Sequence, residues 1–238
     1  MDVKDLGNPR LDIEKAIAEG DLAFLLRSSG LLHGHYCPGS AMGVKAAARA
    51  VNELKTRSTG MEEVIAIVET NSCFSDGVQI VTGCTFGNNA LIYRDYGKTA
   101  VTLANRKGEA VRVSLKANGN PLDRYPEAAD LFQKVVKERA GTPEDDRKLR
   151  EMWVEISFKM LELEDQELFN IKGLSVDVPA YARIFASAKC SVCGENIMEP
   201  RARLKEGNPV CLSCGGFDYY QLAGDGLSIM SQGNRGVS

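Results

Sequence analysis

No stretch of this 238-residue chain approaches the ~20 consecutive apolar residues that a membrane-spanning helix requires. The segment Met1 to Pro9 also lacks the apolar run of a secretory signal, so a soluble, cytoplasmic protein is expected. Charge of neither sign dominates. Lysine plus arginine number 29 against 32 aspartates plus glutamates, a formal net charge of -3, which gives no overall electrostatic reason to expect nucleic acid or an anionic membrane as partner. Aromatic residues make up only 7% of the chain, and there are two histidines and a single tryptophan. No internal repeat and no low-complexity linker interrupts it. What is present is enough apolar material, 44%, for a sizeable core, and seven cysteines. In a reducing compartment an odd number of thiols points to metal ligands, catalytic groups or packed core residues rather than a disulfide framework.

Local patterns predict helices mixed with mostly antiparallel strands. Apolar residues from Asp12 to Arg27 recur at helical spacing, with Gly20 leaving open whether they form one helix or two. Pro38 suits a first helical position and precedes a small-residue helix from Ala41 to Val51. Val64-Ile65-Ala66-Ile67-Val68 reads as a strand buried on both faces. A short helix from Asp76 to Val81 is followed by strands at Ala90 to Tyr93, Thr99 to Leu103 and Ala110 to Leu115, and by a further strand from Leu168 to Val178. Thr142-Pro143-Glu144-Asp145 opens a long amphipathic helix carrying Leu149, Met152, Trp153, Ile156 and Met160, with Trp153 read as a packing residue. The expected fold class is α+β, a mixed, mostly antiparallel sheet packed with helices over residues 1–185, followed by a small zinc-binding module over 186–238.

That module rests on the spacing Cys190-x2-Cys193 and Cys211-x2-Cys214, which falls in the range of four-thiolate zinc sites. Four thiolates leave no open position, so the zinc is expected to be structural. Knuckle, hairpin over Met198 to Val210, then a helix beginning at Phe217 to Leu222 is the order of a treble-clef finger.

In His33-x-His35-x-Cys37, an extended backbone would place both histidines and a cysteine on one face. These are metal-ligand types, and Cys37, just ahead of a predicted helix, reads as either a ligand or an activated nucleophile. Cys73, just past the buried strand, is a candidate further ligand. The glycine-bearing segment around Cys84 lacks the lysine-serine/threonine pair of a phosphate loop, which argues against nucleotide binding.

The string His33-Gly34-His35-Tyr36-Cys37-Pro38-Gly39, together with Cys73-x-x-Asp76, Gln79, Gly83-Cys84-Thr85-x-Gly87-Asn88 and Gly97-Lys98-Thr99-Ala100, resembles the FmdE family of formylmethanofuran dehydrogenase proteins. The resemblance covers roughly residues 20–185. It implies an α+β core with a metal-binding cleft, an optional terminal finger and a homodimer. His35, Cys37 and Cys73, with His33 as a competing ligand, would hold a second divalent metal, expected to be zinc. Asp76 would orient a reacting group or a ligand histidine, Glu69, Asn71, Gln79 and Thr85 would line the cleft, and Lys98 would meet an anionic substrate group. The expected function is a metal-dependent enzyme, or a component of one, in anaerobic one-carbon or molybdenum and tungsten metabolism, with a small-molecule substrate and a redox-enzyme or other protein partner. The alternative is a metal-sensing, metal-delivery or protein-docking module using the finger. A nucleic-acid-binding regulator is disfavoured by the charge balance.

Overall fold

The computed structural model describes residues 7–231 apart from 57 and 59; most of the N-terminal segment considered above therefore lies outside the described residues. Two compact units meet in the chain between Pro179 and Ala180. No described helix is long and apolar enough to cross a membrane.

The first unit begins with helices α1 (Leu11–Glu19) and α2 (Leu22–His33), separated where Gly20 takes the left-handed conformation, φ 73°. After α3 (Pro38–Leu54), β1 (Val64–Val68), α4 (Cys73–Thr82), β2 (Leu91–Tyr93), β3 (Ala100–Asn105) and β4 (Glu109–Leu115) follow. The unit closes with α5 (Pro126–Phe132), α6 (Pro143–Glu162), α7 (Asp165–Leu168) and β5 (Phe169–Ser175). The strands form one sheet in the order β2-β1-β3-β4-β5, with β1 and β2 parallel and the other neighbours antiparallel. All five residues of β1 are buried, as the unbroken branched run requires. On α6, Thr142 and Asp145 form a reciprocal capping box around Pro143, satisfying free amides of the first turn.

The position of α3 against α4 depends on two glycines. A Cβ on Gly43 would lie 2.0 Å from the Phe74 carbonyl oxygen, and one on Gly77 would lie 2.5 Å from both the Ser40 oxygen and the Val44 nitrogen. The two backbones thus touch where only hydrogen atoms fit. The contact lies one to two turns into each helix, so the N-terminal ends of α3 and α4 are brought together. Along α3, Ala41, Ala46, Ala47, Ala48 and Ala50 are buried, so small side chains extend this close packing. Lys45 is also buried on α3, and its Nζ donates to the Leu161 carbonyl at 3.0 Å and pairs with Asp165 Oδ1 at 3.2 Å, tying α3 to the end of α6.

The described residues of the second unit form hairpins, a 3-10 turn (Glu199–Arg201) and one short α-helix. β6 (Ser187–Lys189) pairs with β7 (Asn196–Met198), β8 (Arg203–Lys205) with β9 (Asn208–Val210), and β10 (Tyr219–Ala223) with β11 (Gly226–Met230), with α8 (Leu212–Gly215) before the last hairpin. The helix expected to begin over Phe217 to Leu222 is instead strand β10. Gly216, at φ 74°, ends α8, and Gly224-Asp225-Gly226 folds the chain back onto itself. Turn residues at both ends leave too short a segment for a helix, and cross-strand pairing satisfies its backbone.

Gly43→Ala should lower the stability of the first unit by about 1–3 kcal/mol, because the added methyl must push α4 away. The unique Trp153 lies in this unit, so urea denaturation followed by its fluorescence isolates the effect. Alanine is intrinsically the better helix former. An unchanged or raised midpoint would therefore mean that the helix contact is looser than described.

Candidate functional site

The first unit gathers its reactive groups where α2 stops and α3 and α4 start. At the end of α2, Gly34 adopts φ 86° and its N–H bonds the Gly30 carbonyl. Cys37 then serves as the N-cap of α3, its sulfur accepting from the Ser40 N–H at 3.5 Å. The expected extended run from His33 to Cys37 is therefore replaced by a helix stop followed directly by a helix start, because glycine provides the left-handed turn and Pro38 begins the next helix. The predicted convergence survives this change of backbone. Ligand atoms of His33, His35 and Cys37 lie within 4.8 Å of one another.

His33 Nδ1 lies 2.7 Å from Asp76 Oδ2, and its Nε2 lies 3.6 Å from Cys37 Sγ. A carboxylate accepts, so Asp76 favours the tautomer with hydrogen on Nδ1 and leaves the Nε2 lone pair directed toward the thiol cluster. Gln79 Nε2 donates to the other Asp76 oxygen at 3.1 Å. This carboxylate-histidine relay is the kind that orients metal ligands. The His35 ring lies 4.3 Å from that of His33 and stacks on Trp153 at 5.6 Å with an interplanar angle of 22°. Partial burial, with smaller contributions from His33 and Arg150, lowers the His35 pKa and favours the neutral ring.

Cys73 is the first residue of α4 and forms a hydrogen-bonded pair with Cys37. Gly39 sits against both; a Cβ there would be 3.9 Å from each sulfur and 3.1 Å from Cys73 Cβ. The hydrogen bond from Cys37, which outweighs burial, lowers the Cys73 thiol to about 6. Cys37 moves upward, because it donates that bond and is buried. The pair accordingly favours one thiolate, on Cys73, and one thiol, on Cys37.

Both cysteines open onto a cavity of about 250 Å³. Met42, Phe74, Leu115, Leu122, Phe132 and Trp153 make it largely apolar, with Thr99 and Asn120 among its polar groups. Trp153 Nε1 is buried with no hydrogen-bond partner among the described residues. Trp153, read from the sequence as core packing, is thus both a cavity wall and the stacking partner of His35. Its position on the amphipathic face of α6 resembles that of a core residue, and only the position of α2 distinguishes it.

The other candidate residues occupy varied positions. Glu69 does not line the cavity; both its oxygens bond Arg112, at 2.7 and 2.8 Å, and this pairing outweighs burial and lowers its pKa. Asn71 is exposed in the turn between β1 and α4. Gln79 acts on Asp76 instead of facing the cavity. Thr85 exchanges hydrogen bonds with Asn88 in the loop after α4. Lys98 is exposed, with Nζ 6.0 Å from the centre of the Tyr96 ring. Cys84 is buried, with its sulfur 3.4 Å from the Val64 carbonyl, as a packed thiol would be.

In the second unit, ligand atoms of Cys190, Cys193, Cys211 and Cys214 also cluster within 4.8 Å. Cys190 Sγ accepts from the Cys211 N–H at 3.4 Å, and Cys211, capping α8, accepts from the Cys214 N–H at 3.3 Å. Backbone donors aimed at sulfur favour thiolates. Donation from the Cys193 and Cys211 backbone accordingly lowers the Cys190 thiol to about 6.

The sequence profile of FmdE, described as of the molybdenum formylmethanofuran dehydrogenase operon, matches residues 32–170. The chain belongs to the FmdE family. That match begins one residue before His33 and includes Cys37, Cys73, Asp76 and Trp153, so the complete thiol-histidine cluster lies within the family domain. A prokaryotic dksA/traR C4-type zinc finger matches residues 183–220, spanning all four clustered cysteines and supporting a structural zinc. A probable S-adenosyl-L-methionine-binding protein of Archaeoglobus fulgidus is 39% identical over 231 residues, 94% of this chain and 62% of that protein. The chain thus spans less than two-thirds of that relative's length. Among solved structures, that of an FmdE-like protein of the tungsten formylmethanofuran dehydrogenase type from Syntrophus aciditrophicus is similar, with TM-score 0.53 and 26% identity, covering 82% of this chain and 92% of that one.

Two outcomes are expected for the cysteines of this FmdE-family protein. Cys193→Ser should release the finger zinc and expose residues beyond about 186 to proteolysis, while urea unfolding read by Trp153 stays unchanged; retained zinc would contradict the assignment. After chelation, Cys73 should alkylate faster than Cys37, its rate rising with pH through about 6 as the thiolate forms. Peptide mass spectrometry would resolve the two, and faster reaction at Cys37 would reverse the assigned thiolate.

Proposed function

We propose that the FmdE-like unit is the metal-dependent catalytic part of a small-molecule enzyme, or a component of such an enzyme, linked to anaerobic one-carbon or molybdenum and tungsten metabolism. The observation carrying this reading is the placement of two imidazoles and two thiols beside a mostly apolar cavity. His33, His35 and Cys37 form the core ligand set, with Cys73 as a further sulfur donor. This mixture of nitrogen and sulfur suits zinc. A zinc ion held there would supply Lewis acidity.

The chain's own groups divide the remaining work. Asp76 holds the His33 tautomer so that Nε2 is free toward the cluster, and Gln79 holds Asp76. The lowered pKa of His35 keeps its ring available as a donor rather than charged. Trp153 and Phe132 give the cavity apolar walls suited to the hydrophobic part of a ligand. A cavity at the thiols favours this enzyme reading over a metal-sensing or docking module, which needs no such space. The name of the Archaeoglobus relative brings S-adenosyl-L-methionine forward as one candidate occupant.

Elemental analysis of protein purified without added metal is expected to give about two zinc ions per chain, falling to about one in His35→Ala or Cys37→Ser with the finger intact. One zinc in wild type, unchanged in these variants, would remove the core metal. Because Trp153 lines the cavity and stacks on His35, titrating S-adenosyl-L-methionine while monitoring tryptophan fluorescence tests occupancy directly. A saturable change abolished by Phe132→Ala is expected if this molecule is the occupant. No change would point to a different small molecule.

A further inference from the structure

A second concavity of about 420 Å³ adjoins the thiol-lined cavity, sharing Thr99 and Leu115 with it and otherwise bounded by Lys98, Arg112, Ser114 and Lys116. Its position follows from strand register. Ala100 pairs with Ser114 and Thr102 with Arg112, and the Leu115 N–H bonds the Thr99 carbonyl at 2.9 Å, so Lys98 and Lys116, one residue beyond this last bond on each side, both lie at this end of the ribbon. Alternation puts Arg112, Ser114 and Lys116 on one face, whereas Thr99 and Leu115 belong to the other. The two concavities therefore meet around the end of the β3–β4 ribbon.

The charge of this groove is unbalanced. Like charges gathered in one groove repel unless an opposite charge balances them. Among the described residues, neither Lys98 nor Lys116 has a carboxylate within the 4.0 Å of an ion pair. Lys116 donates only to the neutral Gln166 carbonyl, and the one acid bound to the cluster, Glu69, has both oxygens engaged by Arg112. The groove consequently holds three cations, Lys98, Arg112 and Lys116, against one carboxylate.

We propose that this groove is an anion subsite for the ligand of the adjoining cavity, and that the ligand is an organic anion whose carboxylate or phosphate lies between Lys98 and Lys116 while its apolar body enters past Thr99 and Leu115. The proposal rests on reading the cavity as a small-molecule site, but it does not require the core metal. Arg112, already bidentate to Glu69, supports the field rather than gripping the ligand. The lysines, as mobile point charges, accept either oxyanion.

Binding to the full, zinc-loaded chain should be measured by calorimetry with four probes: acetate, inorganic phosphate, hexanoate and hexyl phosphate. At least one six-carbon anion should bind about tenfold or more tightly than its short counterpart, because the alkyl chain leaves water as the head is held. Preference between hexanoate and hexyl phosphate identifies the head group. Lys98→Ala combined with Lys116→Ala should weaken that binding by about tenfold or more without lowering the thermal midpoint, since neither lysine forms an ion pair among the described residues. Lys159→Ala, on the remote exposed face of α6, should leave it unchanged. Trp153→Ala should abolish the alkyl advantage but retain weak binding of the short anion. Absence of saturable binding by all four probes, or equal weakening by Lys159→Ala, would overturn the subsite. Loss of core zinc in His35→Ala with anion binding retained would leave the subsite standing while the metal reading is judged by zinc content alone.

Discussion

The site depends first on the contact between α3 and α4 at Gly43 and Gly77. With a Cβ at either position the helices could not approach as they do, and Cys37 and Cys73, one at the start of each, would not meet. The closeness of these two N-terminal ends also has an electrostatic consequence. Each end presents free amides and the positive pole of a helix to the same small volume, and that volume stabilises a thiolate. The hydrogen bond between the cysteines then decides which sulfur carries the charge. Packing of small residues is in this sense the source of the chemistry, and Gly39 permits the last step by leaving room beside both sulfurs.

The two cysteine clusters differ in chemical character. In the second unit four sulfurs, supplied by a knuckle and by the cap and body of α8, would together hold a structural zinc with no position left open. In the first unit the donors are mixed, one histidine is held by a carboxylate, and the thiols border a cavity. A closed sulfur set stabilises local folding, whereas a mixed set beside a cavity would leave access for a ligand. The division of the chain near Pro179 keeps the two sets in separate units.

Much of this arrangement was legible in the residues. The buried strand Val64 to Val68, the proline-started helix after Cys37, the capping box at Thr142 and the paired cysteines each follow from a local rule of spacing or backbone chemistry. Convergence of His33, His35 and Cys37 was also legible, though for a different backbone reason, since alternation in a strand and a turn between helices can bring the same positions together. What escaped was non-local. Nothing near Trp153 distinguishes a cavity wall from a core residue, and nothing near Glu69 announces Arg112, 43 positions away. The hairpin at Tyr219 was hidden by a competing local signal, a short amphiphilic segment whose identity is settled by the turn that follows it.

Lys45 has a mechanical consequence for the cavity. Its buried ammonium joins α3, which begins beside Cys37, to the end of α6, which carries Trp153. Separating those two walls would strip a buried cation of both its acceptors, a cost of several kcal/mol. The thiol wall and the indole wall therefore behave as one rigid jaw. The compliant side is the segment bearing Asn120, Leu122 and Phe132, where a 3-10 turn, a short α-helix and a π-turn follow one another without a comparable buried tie among the described residues. A molecule entering the cavity meets a fixed reactive wall and an adjustable opposite wall, so its fit at the sulfurs is set in advance while its size is accommodated elsewhere.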